Sequence, residues 1–270
     1  MRNLSDDKAE QKRRIAQVAA ITGITESQAV RYLRSTSFDT ERAIDLFFSG
    51  DNGQTALTAP LNSIFNSYRD ASAGEENLIG IEGSINFFKD IGVELDEITC
   101  IAVAELCKCP SMGEFTRDGF VSGWRSVSVG TVALMKEHVQ NLRRSIKSDP
   151  AVFRRVYRFC FPLSRMQGQR NMQFEIAADQ WRMFFNPESG GVAGNTATTP
   201  WLDYWLEFLE RRGKKPVNKD LWEQFEVFVR KAHEDESFGW WDADGAWPGA
   251  IDDFVSFVQA KRNGTEMEIE

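Results

Sequence analysis

Histidine and cysteine are scarce in this sequence, with two of the former and four of the latter in 270 residues. That scarcity narrows the chemistry. A structural zinc site wants a Cys-x2-Cys pair and a second pair of ligands. Cys100, Cys107, Cys109 and Cys160 supply neither. Cys100 and Cys107 share one face of a helix and cannot bridge each other, so the four read as reduced thiols, structural or pocket-lining. His138 and His233 lie in charged helical segments, Lys136-Glu137-His138 and Lys231-Ala232-His233-Glu234, and are expected at the surface rather than in a catalytic centre. Gly-x-Ser-x-Gly, P-loop and dinucleotide fingerprints are missing. Asp252 and Asp253, adjacent on a helix, point about 100° apart, a poor geometry for sharing a proton. No catalytic residue, metal or cofactor is expected.

Other absences exclude other classes. Positive charge is in deficit: the net charge is −8, which argues against nucleic acid as the main partner and mildly favours a basic one. No apolar run reaches membrane-spanning length, so no membrane partner is expected. Met1 to Arg14 is polar and charged, without the apolar stretch of a signal peptide, and the expected location is cytoplasmic and nuclear. Sustained alternation with period two is also lacking. Apolar positions instead recur at i, i+3, i+4 and i+7, which predicts an all-α chain.

Aromatic residues are plentiful, with twenty Phe and eight Trp. Most must be core, and some suit pockets or interfaces. Residues 9–49 read as three short helices. The second is opened by Thr25 with Gln28 three residues on, a capping box, and the third begins near Thr40. Residues 50–56 are polar and Gly-rich, a flexible linker. Residues 57–262 form a larger helical domain. Asp96 precedes one of its helices, Ser148 and Pro150 open another, Thr199 caps a third with Pro200 at its first position, Asn218 caps a fourth, and Pro248 begins the last. The segment Pro187 to Thr199 is rich in Gly, Ala, Thr and Asn and is expected to be mobile. Residues 263–270 form an acidic, frayed tail. Asp242-Ala243-Asp244-Gly245 has the middle of an EF-hand loop, but position one would be Trp240 and position twelve Ile251, so calcium sensing is disfavoured.

The stretch Asp244-Gly245-Ala246-Trp247-Pro248-Gly249-Ala250-Ile251-Asp252-Asp253-Phe254-Val255 resembles the C-terminal signature of the defective-in-cullin-neddylation family. Asn218-Lys219-Asp220-Leu221-Trp222 is similar to that family's Ser-Lys-Asp-x-Trp. Ile79-Gly80-Ile81-Glu82-Gly83 followed by Phe87, and Glu114-Phe115 followed by Phe120, match it as well. The first 50 residues resemble a ubiquitin-associated domain. The resemblance implies a small three-helix domain of that type plus a larger helical domain with EF-hand-like elements. It also implies a non-catalytic, scaffold-type co-ligase that holds a cullin and the neddylation conjugating enzyme together while the ubiquitin-like modifier passes to the cullin.

Residue by residue, the resemblance assigns the cullin's C-terminal region to Asp220, Ala246 and Asp252. Asp252 lies off the Ile251/Phe254/Val255/Val258 stripe and is expected to face solvent. The plainer reading is that Asp220 only matches its helix dipole and Asp252 is only solvated. A pocket for the acetylated N-terminal Met of the conjugating enzyme falls on Val103, Ala104, Cys107, Phe115, Leu163 and Met183. The plainer reading makes these ordinary core residues. Leu163 stands where an aromatic is common in the family, and Met112-Gly113 replaces more polar rim residues. Ubiquitin contact is assigned to Gly23, Ile24 and Phe47. It is expected to be weak, because Thr22-Gly23-Ile24 stands where a Met-Gly-aromatic loop is usual. The alternative function is a ubiquitin-binding adaptor without a cullin partner.

Overall fold

The computed structural model describes residues 4–49, 56–69, 77–242, 245 and 247–264. Among them are thirteen α-helices and one pair of two-residue strands, so the chain is all-α as expected. Residues 50–55 of the expected linker, and 265–270 of the tail, lie outside the described residues. Two compact units divide the chain: 1–93 with 106–140, and 94–105 with 141–270.

The first unit begins with α1 (Leu4–Thr22), α2 (Glu26–Ser35) and α3 (Thr40–Ser49). α1 starts earlier than the apolar stripe suggested. Thr25 caps α2 and forms the full capping box with Gln28. Val18, Ala29, Leu33 and Ala43 are fully buried, with Ile15, Ala19, Ile24 and Tyr32 packed around them.

The same unit continues through α4 (Thr58–Tyr68), β1 (Leu78–Ile79) and α5 (Ile81–Ile91), and later β2 (Phe115–Thr116) and α7 (Arg117–Ser126). β1 pairs antiparallel with β2, Leu78 opposite Thr116 and Ile79 opposite Phe115. Phe87 is the hub of an aromatic core, edge-on to Phe115 at 5.5 Å, Phe120 at 5.2 Å and Trp124 at 6.3 Å. A Cβ at Gly83 would lie 1.9 Å from the Tyr68 carbonyl, so only glycine lets α5 pass the end of α4 this closely. Arg117 stacks over Phe65 at 4.4 Å and donates to Asn77, Asn62 and Asn66 at 2.8–3.0 Å.

The second unit holds α6 (Ile98–Leu106, of which residues to 105 belong here), the end of α8 (Val132–Ser148), α9 (Pro150–Ser164), α10 (Phe174–Phe184), α11 (Trp201–Arg211), α12 (Lys219–Glu234) and α13 (Gly249–Arg262). Its centre is a stack of rings. Tyr157 lies parallel to Trp222 at 4.4 Å, Trp222 to Trp181 at 5.3 Å, and Trp205 to Phe225 at 4.4 Å. The polar atoms of Tyr157, Trp181 and Trp222 satisfy one another, while Trp205 Nε1 is buried without a hydrogen-bond partner among the described residues. Trp181 Nε1 donates to the Tyr157 hydroxyl, which donates to the Trp222 carbonyl, both at 2.8 Å. Trp222 Nε1 donates back to the Tyr157 carbonyl at 2.9 Å.

Several local expectations need correction. Asp149, not Ser148, caps α9, its carboxylate accepting from Ala151 N, with Pro150 at the first helical position. Thr199 does not cap α11: it is 5% exposed, and its hydroxyl donates to Glu236 Oε2 at 2.7 Å. Thr196 and Thr198 donate to Glu236 Oε1, and Arg262 reaches Oε2. The segment from Pro187 to Thr199 is thus tied down rather than free. Its backbone also bonds to the end of α10, Val192 N to Phe184 O and Gly194 N to Phe185 O, both at 3.0 Å. His138 is half-buried, edge-on to Trp124, and burial holds its pKa below the ordinary 6.5.

Candidate functional site

Asp220 sits in the first turn of α12 and is exposed. Two local devices fix that turn. The Asn218 side chain accepts from Leu221 N at 2.8 Å, and Val217, fully buried, exchanges both backbone hydrogen bonds with Met172 at 2.8–2.9 Å. The backbone beneath Asp220 is therefore pinned, while its carboxylate stays free to meet a partner. No hydrogen bond or ion pair engages that carboxylate among the described residues.

Asp252 sits in the first turn of α13. It is half-buried rather than solvent-facing as expected, because Trp241 Nε1 donates to its Oδ1 at 3.1 Å. The neighbouring Asp253 is exposed and ion-paired with Arg212, at the end of α11. Arg212 therefore ties the start of α13 to the short segment that leads into α12.

Ala246, with Ala243 and Asp244, lies outside the described residues. Around it, Gly245 N bonds to Asp242 O at 3.0 Å, and a Cβ on Gly245 would stand 2.8 Å from that same oxygen. Tryptophans hang this segment on the unit. Trp240 donates to Asp235 O at 2.8 Å and packs edge-on to Phe228 at 5.5 Å, and Trp247 packs on Trp240 at 5.7 Å. The supporting roles of Trp240, Trp241 and Arg212 were missed in the sequence. The only signal was a cluster of Trp beside the acidic motif.

The residues assigned to the conjugating enzyme's N-terminus divide between the units. Val103 and Ala104 on α6 and Leu163 on α9 are buried, and Met183 on α10 is half-buried. In the other unit, Cys107 and Phe115 are fully buried. Phe115 is a core ring, packed by Phe87, Phe88 and Phe120. The backbone carrying Cys107 lies tight on α7: a Cβ at Gly119 would meet the Cys107 carbonyl at 2.2 Å, and one at Gly123 the Leu106 carbonyl at 2.4 Å. The first unit also exposes an apolar surface, of which only Met112 was singled out from the sequence. Ile81 (65%) and Ile85 (44%) lie one turn apart on α5, and Met112 (42%) precedes Gly113, where an added Cβ would come within 3.4 Å of Ile81.

In the first domain, Gly23 is exposed in the left-handed region, φ +71°, and Ile24 is half-buried against the core. Phe47 is not available as a ubiquitin contact. It is 2% exposed, edge-on to Tyr32 at 5.3 Å, because the face of α3 that carries it turns inward. The exposed large apolar residue of α3 is Leu46.

All four cysteines are unpaired by disulfides and buried. Among the described residues no group of three metal-ligating side chains converges, and no helix is long and apolar enough to cross a membrane.

The class of protein follows from two family matches: a UBA-like domain over residues 12–53 and a Cullin binding domain over residues 134–257, which spans α9 to α12 and the acidic turns. Among similar proteins are three named defective in cullin neddylation protein 1. That of Pyricularia oryzae is 30% identical over 97% of this chain and 98% of its own length. That of Yarrowia lipolytica is 31% identical over 94% and 98%. That of Caenorhabditis elegans is 25% identical over 95% and 92%. The chain belongs to the defective-in-cullin-neddylation family.

Proposed function

We infer that this chain is a cullin-binding co-ligase of neddylation, which binds a cullin and the conjugating enzyme and promotes transfer of the ubiquitin-like modifier to the cullin. The observation that carries this reading is the exposed Asp220 on the pinned start of α12, inside the region matched by the Cullin binding family. With Asp252 steadied by Trp241, it offers two carboxylates to a basic protrusion of the cullin's C-terminal region. Truncating one side of such a charge-assisted pair, once cut off from water, costs about 2–5 kcal/mol.

The contribution is positional. Holding donor and acceptor in a reactive orientation supplies several kcal/mol without a reacting side chain. Cys100 and Cys160 are poor candidates for carrying the modifier as a thioester. Burial pushes the thiols of Cys100 and Cys160 up to about 12, and the thiolate is the nucleophile.

The conjugating enzyme's acetylated N-terminal Met is assigned in this reading to the residues named for it above. Acetylation removes a charge that is costly to bury, and burying the Met side chain is worth roughly 1.5–3 kcal/mol. Ubiquitin contact by the first domain is weak in this reading, because Phe47 belongs to the core and Ile24 and Leu46 remain.

Reconstituted cullin neddylation tests the reading. Adding the protein should accelerate modification of the cullin without a thiol-sensitive conjugate forming on the protein itself; an unchanged rate refutes it. Calorimetry with acetylated and free-amine peptides of the conjugating enzyme's N-terminus tests the second partner, and equal affinities would overturn acetyl selection.

A further inference from the structure

In the second unit a cavity of about 350 Å³ opens between the start of α9, the second half of α12 and the segment after α10. It lies on α12 beyond Asp220 by more than a helical turn, and neither partner assignment above uses it. Its walls are largely apolar, with Ile146, Phe153, Phe185 and Val229 among them. Its volume falls at the lower end of the range of small-ligand sites, roughly 300–1,000 Å³.

The polar part of the wall is unusual. Glu226 is 5% exposed and lines the cavity together with Arg230. Its Oε2 stands 3.4 Å from Arg154 Nε, and its Oε1 stands 3.9 Å from Arg230 Nε. These are ion pairs without hydrogen bonds. Glu226 Oε2, Arg154 Nε and Arg230 Nε are all buried with no hydrogen-bond partner among the described residues. Buried polar atoms are nearly always bonded, so an acceptor and a donor left unmatched on one cavity wall point to a ligand that matches them.

Charge selects its class. A carboxylate ligand would face Glu226 and Glu234, and an ammonium would face Arg230 and Lys147. A neutral group with one N–H and one carbonyl meets neither repulsion. We propose that this cavity binds an apolar group bearing a neutral amide. The amide N–H donates to Glu226 Oε2, its carbonyl accepts from Arg230 Nε, and its apolar body lies against Phe153, Phe185 and Val229.

The test uses the full chain and four probes with the same aromatic body. Two are amides: 3-phenylpropanamide as a free carboxamide and N-acetyl-phenylalanine N-methylamide as a peptide unit. Two are charged controls: 3-phenylpropanoate and 3-phenylpropylamine. Methyl NMR of Ile146 and Val229 reports binding. At least one amide should saturate these shifts with affinity at least tenfold above both charged probes, and the tighter amide identifies the source of the ligand. Glu226→Leu should lose at least tenfold in amide affinity. Should that variant not fold, Ala193→Trp, at the exposed rim, should weaken the amide to the same extent. The proposal is overturned if neither amide moves these methyls, if all four probes bind alike, or if a folded variant of either kind binds the amide as tightly as the wild type. Cullin neddylation is not read in this test, so its outcome is separate from that of the co-ligase reading.

Discussion

Removing a single oxygen from the centre of the second unit, by Tyr157→Phe, should destabilise it far more than its size suggests. The hydroxyl accepts from Trp181 Nε1 and donates to the Trp222 carbonyl, each at 2.8 Å, and all three residues are fully buried. Phe keeps the parallel stack on Trp222. What is lost is the only partner of Trp181 Nε1 among the described residues, whose desolvation then stands uncompensated at about 1–3 kcal/mol, and a net hydrogen bond to the Trp222 carbonyl worth about 0.5–1.5 kcal/mol. The sum is roughly 1.5–4.5 kcal/mol, measurable by urea unfolding. Tyr68→Phe is the internal control. Its hydroxyl donates to Asp90 at 2.7 Å in a solvent-accessible setting, where water replaces the lost partner, so the cost should be below about 1 kcal/mol. Because Trp222 lies two residues beyond Asp220, the Tyr157 variant should also loosen the acidic turn. Equal costs for the two Tyr→Phe changes would refute the claim that a satisfied buried network organises this unit.

Further outcomes follow from other contacts. Burial alone raises the Glu97 carboxyl, but hydrogen bonds from Arg143 at 2.5 and 2.9 Å, from Glu94 N and from Thr99 outweigh it and hold it below the ordinary 4.5. Its folded value being depressed, its contribution is fully present above the unfolded pKa and is lost as pH falls through the folded one. The melting difference between wild type and Glu97→Gln should therefore be constant from pH 7 down to about 5 and shrink below it; a difference that grows toward acid contradicts the assignment. Gly245→Ala should weaken cullin binding with little change in melting, since the added Cβ would meet the Asp242 carbonyl at 2.8 Å and shift the turn beside Asp252; unchanged cullin affinity counts against that turn as part of the site. A chain starting at Gln54 should retain stimulation of cullin modification in a purified assay, and a large loss of rate would show that the first domain is required.

What was legible in the sequence was local. The Thr25–Gln28 capping box and the Asn218 cap are written in three or four adjacent residues, and both stand as read. The apolar periods gave the helices for the same reason. Errors arose where a distant residue decides the outcome. Asp252 turns inward because an indole eleven residues away bonds to it. Thr199 serves Glu236 instead of a helix end, and that partner is 37 residues on. The Pro187–Thr199 segment reads as loose from composition, yet its threonines are the donors that Glu236 needs. The strand pair is two residues long on each side, too short for a period of two to show. For the candidate site, motif matching supplied Asp220 and Asp252. Trp241, which bonds Asp252, and Arg212, which pairs with the neighbouring Asp253, take up these roles only once the helices are packed.

The most direct test of the central claim is the affinity of a cullin's C-terminal region for the wild type and for the triple variant Asp220→Ala, Ala246→Arg, Asp252→Asn, measured by calorimetry at two salt concentrations. Asp220 is exposed and Asp252 half-buried, so the variant should melt within a few degrees of the wild type. The account predicts that wild-type binding weakens as salt rises, because part of the attraction is screened, and that the triple variant loses binding by at least a hundredfold. A folded triple variant that binds the cullin as tightly as the wild type would contradict it.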